Sequence, residues 1–173
     1  MYRWTYYTWL MFHLVTIQIK HEYRKKYIEF FNLFNVLIPC GYCRSHYQRI
    51  THNKNMNIEK NVNGNNIFNW TIDLHSCINK KNNKRIWSYN EGLLHYQSYK
   101  IKKDQIIAFI YIYYTLCKRR NKFYTQSFIQ MINAFIYIMP NIEFKDKLLN
   151  YSEKTPLTMH NIDIWVQEII KID

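Results

Sequence analysis

Residues suited to a protein interior recur at helical spacing along almost the whole chain. One stripe near the amino terminus has the i, i+3, i+4, i+7, i+8 spacing that places side chains on a single helix face. This stripe consists of Trp9, Phe12, His13, Thr16 and Ile17. The strict alternation that is typical of half-buried strands is hard to find anywhere. The pattern therefore predicts an all-α protein built from short, bundled helices.

The predicted helices form two sets that irregular sequence separates. The first set comprises the stripe at 9–17, a helix over 23–36 that Pro39 ends, a helix that starts around Cys40 and a helix over 67–80. Asn-rich residues 51–66 are predicted to form a loop, and irregular sequence closes this half near Gly92. The second set comprises helices over 104–117, 124–139, 141–150 and 159–170.

The second set repeats features of the first. Placed 101 positions apart, residues 27–39 and 128–140 are identical at four of thirteen positions, and both end on a proline. With a shorter following loop, "IDLH" at 72–75 aligns with "IDIW" at 162–165. Amphipathic helices of biased composition can match by chance, but three helices correspond here in the same order. We therefore predict an internal duplication, with one unit over 1–92 and its copy over 101–173.

Composition and charge narrow the classes of protein that need to be considered. A chain of 173 residues with 48% hydrophobic residues can form one domain, or two very small ones, around a packed core. The net charge is +12, but the basic clusters are scattered without a nucleic-acid-binding motif, so we predict no nucleic-acid partner. Such cations are also suited to binding a phosphate-bearing cofactor. The apolar runs 106–116 and 128–139 are shorter than the roughly 20 residues that span a bilayer, which predicts core helices and no membrane span.

The four cysteines offer one candidate centre, because Cys40 and Cys43 form a CxxC pair directly after Pro39. In a redox interpretation, a helix start stabilises the Cys40 thiolate, and Cys43 lies one turn later within disulfide reach. In a zinc interpretation, the pair is joined by two further ligands, although no second ligand pair at regular spacing is present. Those ligands would come from His46, His52, His75 and Cys77. A third interpretation is two inert core thiols, and the pair alone does not decide among the three.

Further candidate residues lie on both sides of the cysteine pair. Trp9 and His13 are four positions apart and share one helix face, and His75 and Asn79 have the same spacing. The remaining candidates flank this second helix face and are Trp70, Lys84 and Trp87. Each residue by itself has an ordinary explanation as a core residue, a helix-end residue or a solvated charge. Their order along the chain is what indicates a function.

That order resembles the Erv/ALR family of FAD-dependent sulfhydryl oxidases. The family pattern has a WxxxH helix, a proline followed by CxxCxxH, and then W-x4-H-x3-N with a lysine five residues after the asparagine. This chain reads "WLMFH" at 9–13, "PCGYCRSH" at 39–46 and "WTIDLHSCINKKNNKRIW" at 70–87. It departs from the pattern at Ile38, Ser76, Arg85 and Trp87, where Tyr, Asn, Pro and Phe are usual. The resemblance covers residues 1–92 and implies a four-helix-bundle module that binds flavin.

The resemblance implies oxidation of protein dithiols to disulfides, with electrons passing through FAD to O2 and giving H2O2. Cys40 would exchange with the substrate, and Cys43 would face the flavin. The residues implied in FAD binding are Trp9, His13, Trp70, His75, Ile78, Asn79, Lys84 and Trp87. The rings of Trp9, His13, His75 and Trp87 would line the flavin and adenine. Asn79 would hold a polar edge or the ribose, and Lys84 would neutralise the pyrophosphate. No metal ion is implied, and Cys77 and Cys117 are expected to be free buried thiols.

The compact form with one CxxC motif is most similar to viral members of the baculovirus type, in which an active module is combined with a degenerate one. Residues 101–173 are then expected to hold no cofactor, because Asn141 and Phe144 align with Cys40 and Cys43, and Trp165 aligns with His75. An internal pseudodimer and a homodimer are both open, as are the virion, the host cytoplasm and the mitochondrial intermembrane space as locations. The alternatives to an oxidase are a zinc-binding module and a catalytically silent helical interaction module.

Overall fold

In the computed structural model, residues 3–172 are described, and they contain ten α-helices and one short 3-10 helix. The α-helices are α1 (Arg3–Thr16), α2 (Arg24–Leu37), α3 (Gly41–Thr51), α4 (Ile58–Asn63), α5 (Ile67–Lys81), α6 (Tyr89–Gln97), α7 (Lys103–Lys118), α8 (Lys122–Ile138), α9 (Ile142–Lys154) and α10 (Ile162–Lys171). No strand occurs between residues 3 and 172, and the helices of this range lack the combination of length and apolar character that bilayer crossing requires. The predicted all-α class is confirmed.

The apolar face of α2 forms the centre of the first bundle, which α1, α3 and α5 complete. Its buried residues recur at helical spacing and are Tyr27, Phe30, Phe31, Phe34 and Leu37. Phe12 of α1 meets Phe31 and Phe34 edge-on, with centroid distances of 4.9 and 4.6 Å. The helix ends at Leu37 because Pro39 lacks an N–H and disfavours helical backbone at the residue before it. The cysteine pair follows within a few residues of this end of α2.

The two halves of the chain share one hydrophobic core, since their buried apolar side chains form a continuous cluster. The most extensive helix pair is α2 with α8, and α1 packs against α7. Phe30 of α2 stacks on Phe135 of α8 with a centroid distance of 5.6 Å. Between α1 and α7, the hydroxyl oxygens of Thr8 and Tyr113 are 2.6 Å apart. The packing of α1 on α7 and of α2 on α8 therefore joins the two predicted units.

Two helices occur where the sequence predicted irregular structure. Within the predicted loop 51–66, α4 is capped by Asn57, whose side chain accepts a hydrogen bond from the N–H of Lys60. Beyond the predicted irregular segment, α6 continues past Gly92 to Gln97, and it starts at a capping box formed by Ser88 and Glu91. Both predictions of irregular structure were wrong at these positions, because the polar residues that suggested loops act here as helix caps.

The starts of α3 and α9, which the predicted 101-residue alignment pairs, have similar caps. Cys40 caps α3, and its sulfur accepts a hydrogen bond from the N–H of Cys43 at 3.2 Å. Asn141 caps α9, and its side-chain oxygen accepts from the N–H of Phe144 at 2.9 Å. Each cap directly follows a proline. A capped helix start directly after a proline therefore occurs in both halves, with a cysteine pair in the first half and none in the second.

The starts of α5 and α10 have similar local features, each with a buried tryptophan in the first turns. Trp70 and Trp165 are both fully buried, and each donates its backbone N–H to the carbonyl of the Asn that caps its helix. The indole N–H of Trp70 donates to the carbonyl of Met56, which precedes α4, and that of Trp165 donates to the carbonyl of Thr155, which follows α9. Equating these tryptophans spaces the helices by 95 positions (165 − 70), whereas the predicted alignment spaced them by 90 (162 − 72). The register in which the two tryptophans match thus differs from the predicted alignment, in which Trp165 aligns with His75.

Candidate active site

The cysteine pair lies at the amino-terminal turn of α3. The sulfur atoms of Cys40 and Cys43 are bonded as a disulfide, and their Cα atoms are 5.2 Å apart. Cys40 precedes the helix with extended backbone, while Cys43 lies one turn inside it. Both side chains are half-buried. The positive end of the helix dipole stabilises a thiolate at Cys40 whenever the disulfide is open.

A cavity of about 470 Å³ adjoins the disulfide on the side of Cys43. It is formed by α1, α3, α5 and the segment that follows α5. Of the eight residues predicted to bind a cofactor, six line it, namely Trp9, His75, Ile78, Asn79, Lys84 and Trp87. Cys43 lines the cavity and Cys40 does not. The two cysteines thus differ in position, one towards the cavity and one away from it.

The other two predicted cofactor residues, His13 and Trp70, lie outside the lining of this cavity. Trp70 is fully buried in the core, where it meets Phe31 edge-on at 5.0 Å and donates its indole N–H to the carbonyl of Met56 at 2.8 Å. Its position is that of a core residue. His13 is also buried, and it stands directly behind His75. Its contact with the cavity is therefore made through His75.

A chain of hydrogen bonds fixes which nitrogen atoms of the two histidines carry protons. The hydroxyl of Thr71 donates to the carbonyl of Phe68 at 2.7 Å, so its oxygen accepts from Nδ1–H of His13 at 3.0 Å. A neutral His13 then has a bare Nε2, which lies 3.0 Å from Nδ1 of His75. His75 must donate from Nδ1 and is left with a bare Nε2. This series of hydrogen bonds thereby makes Nε2 of His75 a hydrogen-bond acceptor.

Both histidines are neutral at pH 7. Burial lowers the pKa of His13 well below its usual value, and the neighbouring His75 and His95 lower it further. Burial also lowers the pKa of His75 to about 4, with a smaller contribution from the charge of Lys84. Neutral rings are what the hydrogen-bond chain requires, because a protonated His13 would have no acceptor to offer His75.

Stacked rings form one wall of the site. The ring of His75 lies parallel to the indole of Trp9, with a centroid distance of 4.0 Å and an interplanar angle of 3°. Behind His75, the ring of Tyr96 in α6 stacks on the ring of His13, with a centroid distance of 4.5 Å. Sequence reasoning missed Tyr96 because it ended the first unit at Gly92. The Ser88-x-x-Glu91 capping-box pattern is the signal that could have extended the helix to include it.

Asn79 organises the segment that follows α5. Its side-chain amide donates to the carbonyl of Arg85 at 2.9 Å, and its own carbonyl accepts from the backbone N–H of Lys84 at 2.9 Å. Arg85 forms an ion pair with Glu91, whereas Lys84 is exposed. Asn79 therefore holds in place the segment from which Lys84, Arg85 and Trp87 reach the cavity.

The other two cysteines are not part of this site. Cys117 is buried, as predicted, and burial raises the pKa of its thiol to about 12. Cys77 is exposed, so the prediction that it is buried was wrong. The buried residues of α5 all precede position 75, and its last turns extend past the core. Among residues 3–172, no three His, Cys, Asp or Glu side chains converge to hold a metal ion.

The residues of the cavity fit a flavin nucleotide. Trp9, Ile78 and Trp87 offer apolar surface for a planar ring system, and Nε2 of His75 offers an acceptor to a ring N–H or a hydroxyl. Lys84 and Arg85 supply positive charge in the same lining, as a pyrophosphate requires. The disulfide adjoins this lining through Cys43. A redox-active sulfur pair and a site suited to a two-electron cofactor are thus brought together.

Comparison with known proteins agrees with this chemistry. The profile of the Erv1 / Alr family matches residues 6–104, which is more than half of the chain. A probable FAD-linked sulfhydryl oxidase of Acanthamoeba polyphaga mimivirus is 30% identical over 95 residues, a stretch that covers 53% of this chain and 66% of the relative. No solved structure matches the chain. The chain belongs to the Erv1/Alr family, whose members bind FAD, and the prediction of a viral-type member is supported.

Proposed function

We propose that this chain is an FAD-linked sulfhydryl oxidase that joins pairs of protein thiols into disulfides with O2 as the final acceptor. The observation that carries the proposal is the Cys40–Cys43 disulfide beside the cavity, with Cys43 in the cavity wall. Family membership supports the same reaction class. The position of the two cysteines supports a division of labour, in which Cys40 meets the substrate and Cys43 passes electrons inward.

The sulfur chemistry follows from thiol–disulfide exchange. A substrate thiolate attacks Sγ of Cys40 and forms a mixed disulfide, while the Cys40–Cys43 bond breaks and Cys43 leaves as a thiolate. The second substrate thiolate attacks the substrate sulfur of this mixed disulfide and releases Cys40 as a thiolate. The substrate has then lost two electrons and two protons, and the cysteine pair holds the two electrons. A bound FAD would supply the two-electron acceptor for the reduced pair and a route for those electrons to O2, with H2O2 as the product.

The chain's own residues orient and shield this chemistry. Trp9 and Trp87 provide apolar faces that exclude water and hold a planar ring, while His75 accepts a hydrogen bond through Nε2. Lys84 balances phosphate charge at the polar part of the cavity. Asn79 acts indirectly, because its hydrogen bonds hold the segment that carries Lys84 and Trp87.

We further propose that residues 101–173 are a degenerate copy that binds no flavin and packs on the first unit as an internal pseudo-partner. The proposal is supported by the matching proline-and-cap arrangements at Cys40 and Asn141, and by the matching pair Trp70 and Trp165. In addition, α2 packs on α8 and α1 packs on α7, which are their counterparts in the predicted alignment. Packing of equivalent elements on one another is typical of a two-fold interface. Loss of the cysteines removes the redox chemistry and leaves the packing role.

Purification of the full chain tests the oxidase proposal. We expect a yellow protein with a flavin absorbance spectrum, one FAD per chain, and O2 uptake with dithiothreitol as the thiol donor. The zinc content of the same sample is measured in parallel. A colourless, zinc-containing protein would contradict the oxidase and support the zinc-binding alternative. A colourless, metal-free protein without O2 uptake would support a silent interaction module.

A further inference from the structure

Three cationic side chains surround the amino-terminal turn of α3. The guanidinium of Arg44 donates to the carbonyl of Ile38 at 3.0 Å. Arg120, from the connection between α7 and α8, donates to the carbonyl of Pro39 at 2.7 Å. The ammonium of Lys81, the last residue of α5, lies 4.3 Å above the ring of Tyr42. We call Arg44, Lys81 and Arg120 the cationic rim, since each contacts a residue within two positions of Cys40.

Tyr124 of α8 holds two members of the cationic rim together. The guanidinium of Arg120 lies 4.6 Å from the centroid of its ring, and that of Arg44 lies 5.9 Å from the same centroid. Two guanidinium groups would otherwise repel one another, and the shared ring offsets part of that cost through cation–π attraction. The arrangement keeps two positive charges together beside Pro39, close to the exposed turn that carries the disulfide.

The charge of the cationic rim is not neutralised by carboxylates of the chain. The ion pairs formed by residues 3–172 involve other cations, and none of them includes Arg44, Lys81 or Arg120. Tyr42, Lys81 and Arg120 are exposed, with Tyr42 at 65%. The surface around Cys40 is therefore electropositive and open to a macromolecule.

We propose that the cationic rim recognises acidic protein substrates, by binding carboxylates that flank the cysteine pair to be oxidised. This inference rests on the proposed oxidase function and names the substrate class for that site. A protein is favoured over a nucleic acid or a membrane because the rim encloses a disulfide, whose reaction partner must supply two thiols. Positive charge also attracts the attacking thiolate itself, and such steering raises association rates by about 10-fold to 1,000-fold.

The proposal gives the second half of the chain a part in substrate recognition. Arg120 and Tyr124 both lie beyond residue 101, yet they contact the segment that leads into Cys40 and the side chain of Arg44. Residues 101–173 have no CxxC pair of their own, but they supply Arg120 to the cationic rim. They also supply the ring of Tyr124, which holds Arg44 and Arg120 together.

Two peptides of equal length test the proposal on the full, FAD-loaded chain. Both contain the same cysteine pair, flanked in one by glutamates and in the other by lysines. In versions with serine in place of cysteine, binding is measured by fluorescence anisotropy, which needs no turnover. We expect the acidic peptide to bind about tenfold more tightly at low salt, and the difference to vanish near 1 M salt, where the Debye length is about 3 Å. The cysteine versions should show the same preference in kcat/KM, measured by O2 uptake.

Matched substitutions separate the cationic rim from the general positive charge of the protein. Arg120→Gln and Lys81→Gln should each lower the ratio of acidic to basic peptide affinity about threefold, while Arg120→Lys should retain most of it. Lys25→Gln removes the same charge from the opposite end of α2, about 18 Å along the helix axis, and should leave the ratio unchanged. Equal effects of Lys25→Gln and Arg120→Gln, or equal affinity for both peptides, would overturn the inference. Tight binding of the acidic peptide without any thiol oxidation would instead overturn the proposed oxidase and leave the binding surface standing.

Discussion

Nε2 of His13 lies 3.0 Å from Nδ1 of His75, and this contact connects a buried hydroxyl to the wall of the cavity. His13 receives its orientation from Thr71 and transmits it to His75, whose ring is also stacked on Trp9. The free nitrogen of His75 is consequently an acceptor before any ligand arrives. A site prepared in this way loses little entropy on binding and discriminates against groups that cannot donate a hydrogen bond.

The first prediction concerns the acid stability of the protein. His75 has a pKa of about 4 in the folded chain, against about 6.5 when unfolded, so the unfolded state binds the proton first as pH falls. The contribution of His75 to the free energy of unfolding is constant above pH 6.5 and falls between 6.5 and about 4, by up to about 3 kcal/mol. Urea denaturation across this pH range measures it. His75→Gln should make the profile shallower and leave the contribution of buried His13, whose pKa is also lowered; His160→Gln, at an exposed position, is the matched control.

The second prediction concerns Thr71. Thr71→Val removes the oxygen that accepts from Nδ1–H of His13 and leaves a buried donor without a partner, which should lower the free energy of unfolding by about 1–3 kcal/mol. FAD affinity should fall as well, because the proton arrangement of His75 is no longer imposed. Thr71→Ser keeps the hydroxyl and should restore most of both properties. Normal FAD affinity in Thr71→Val would show that the hydrogen-bond chain does not prepare the site.

The third prediction separates the two cysteines. Cys40→Ser and Cys43→Ser should each abolish dithiol oxidation and retain FAD, because neither sulfur is needed to hold the ring. Cys40→Ser leaves a Cys43 thiol in the cavity wall, and the loaded protein should absorb at longer wavelength than wild type. Cys43→Ser should lack this absorbance. If the long-wavelength band appears in Cys43→Ser instead, the assigned roles are reversed.

The fourth prediction concerns Asn79. Asn79→Ala removes the hydrogen bond to the carbonyl of Arg85 and loosens the segment that carries Lys84 and Trp87. A loss of about 1.4 kcal/mol would weaken FAD binding about tenfold, which flavin titration of the apoprotein measures. Asn150→Ala, on an exposed position of α9, is the matched control and should bind FAD normally. Equal FAD affinity in the two variants would remove Asn79 from the binding site.

The fifth prediction concerns the second half of the chain. Asn141→Ala removes the cap of α9 and should lower the free energy of unfolding by about 1 kcal/mol, while FAD content stays at one per chain. Asn141→Asp keeps a capping oxygen but loses the amide N–H that donates to the carbonyl of Ile101, so it should restore only part of the stability. Two flavins per chain, or loss of flavin in Asn141→Ala, would contradict the proposal that this half is a cofactor-free copy.

The sequence by itself determined the all-α class, most of the helices, the family and about half of the cavity lining. Trp9 and His13 share a helix face because of their spacing, and a proline before Cys40 both ends one helix and exposes the start of the next. These features are local, since they depend on backbone geometry within a few residues. Local patterns also explain the errors, because Asn57 and Ser88 have the composition of loops although they cap helices.

Only the tertiary structure decided which residues meet across long distances in the chain. Trp70 fits the family spacing, yet the packing against Phe31 places it in the core. No periodicity predicts that Arg120 reaches the carbonyl of Pro39, 81 positions earlier. Such contacts depend on how α2 and α8 cross, which is set by the summed burial of many apolar side chains and not by any single motif. Spacing along the chain therefore identified the chemistry of the site, and packing between the halves decided its surroundings.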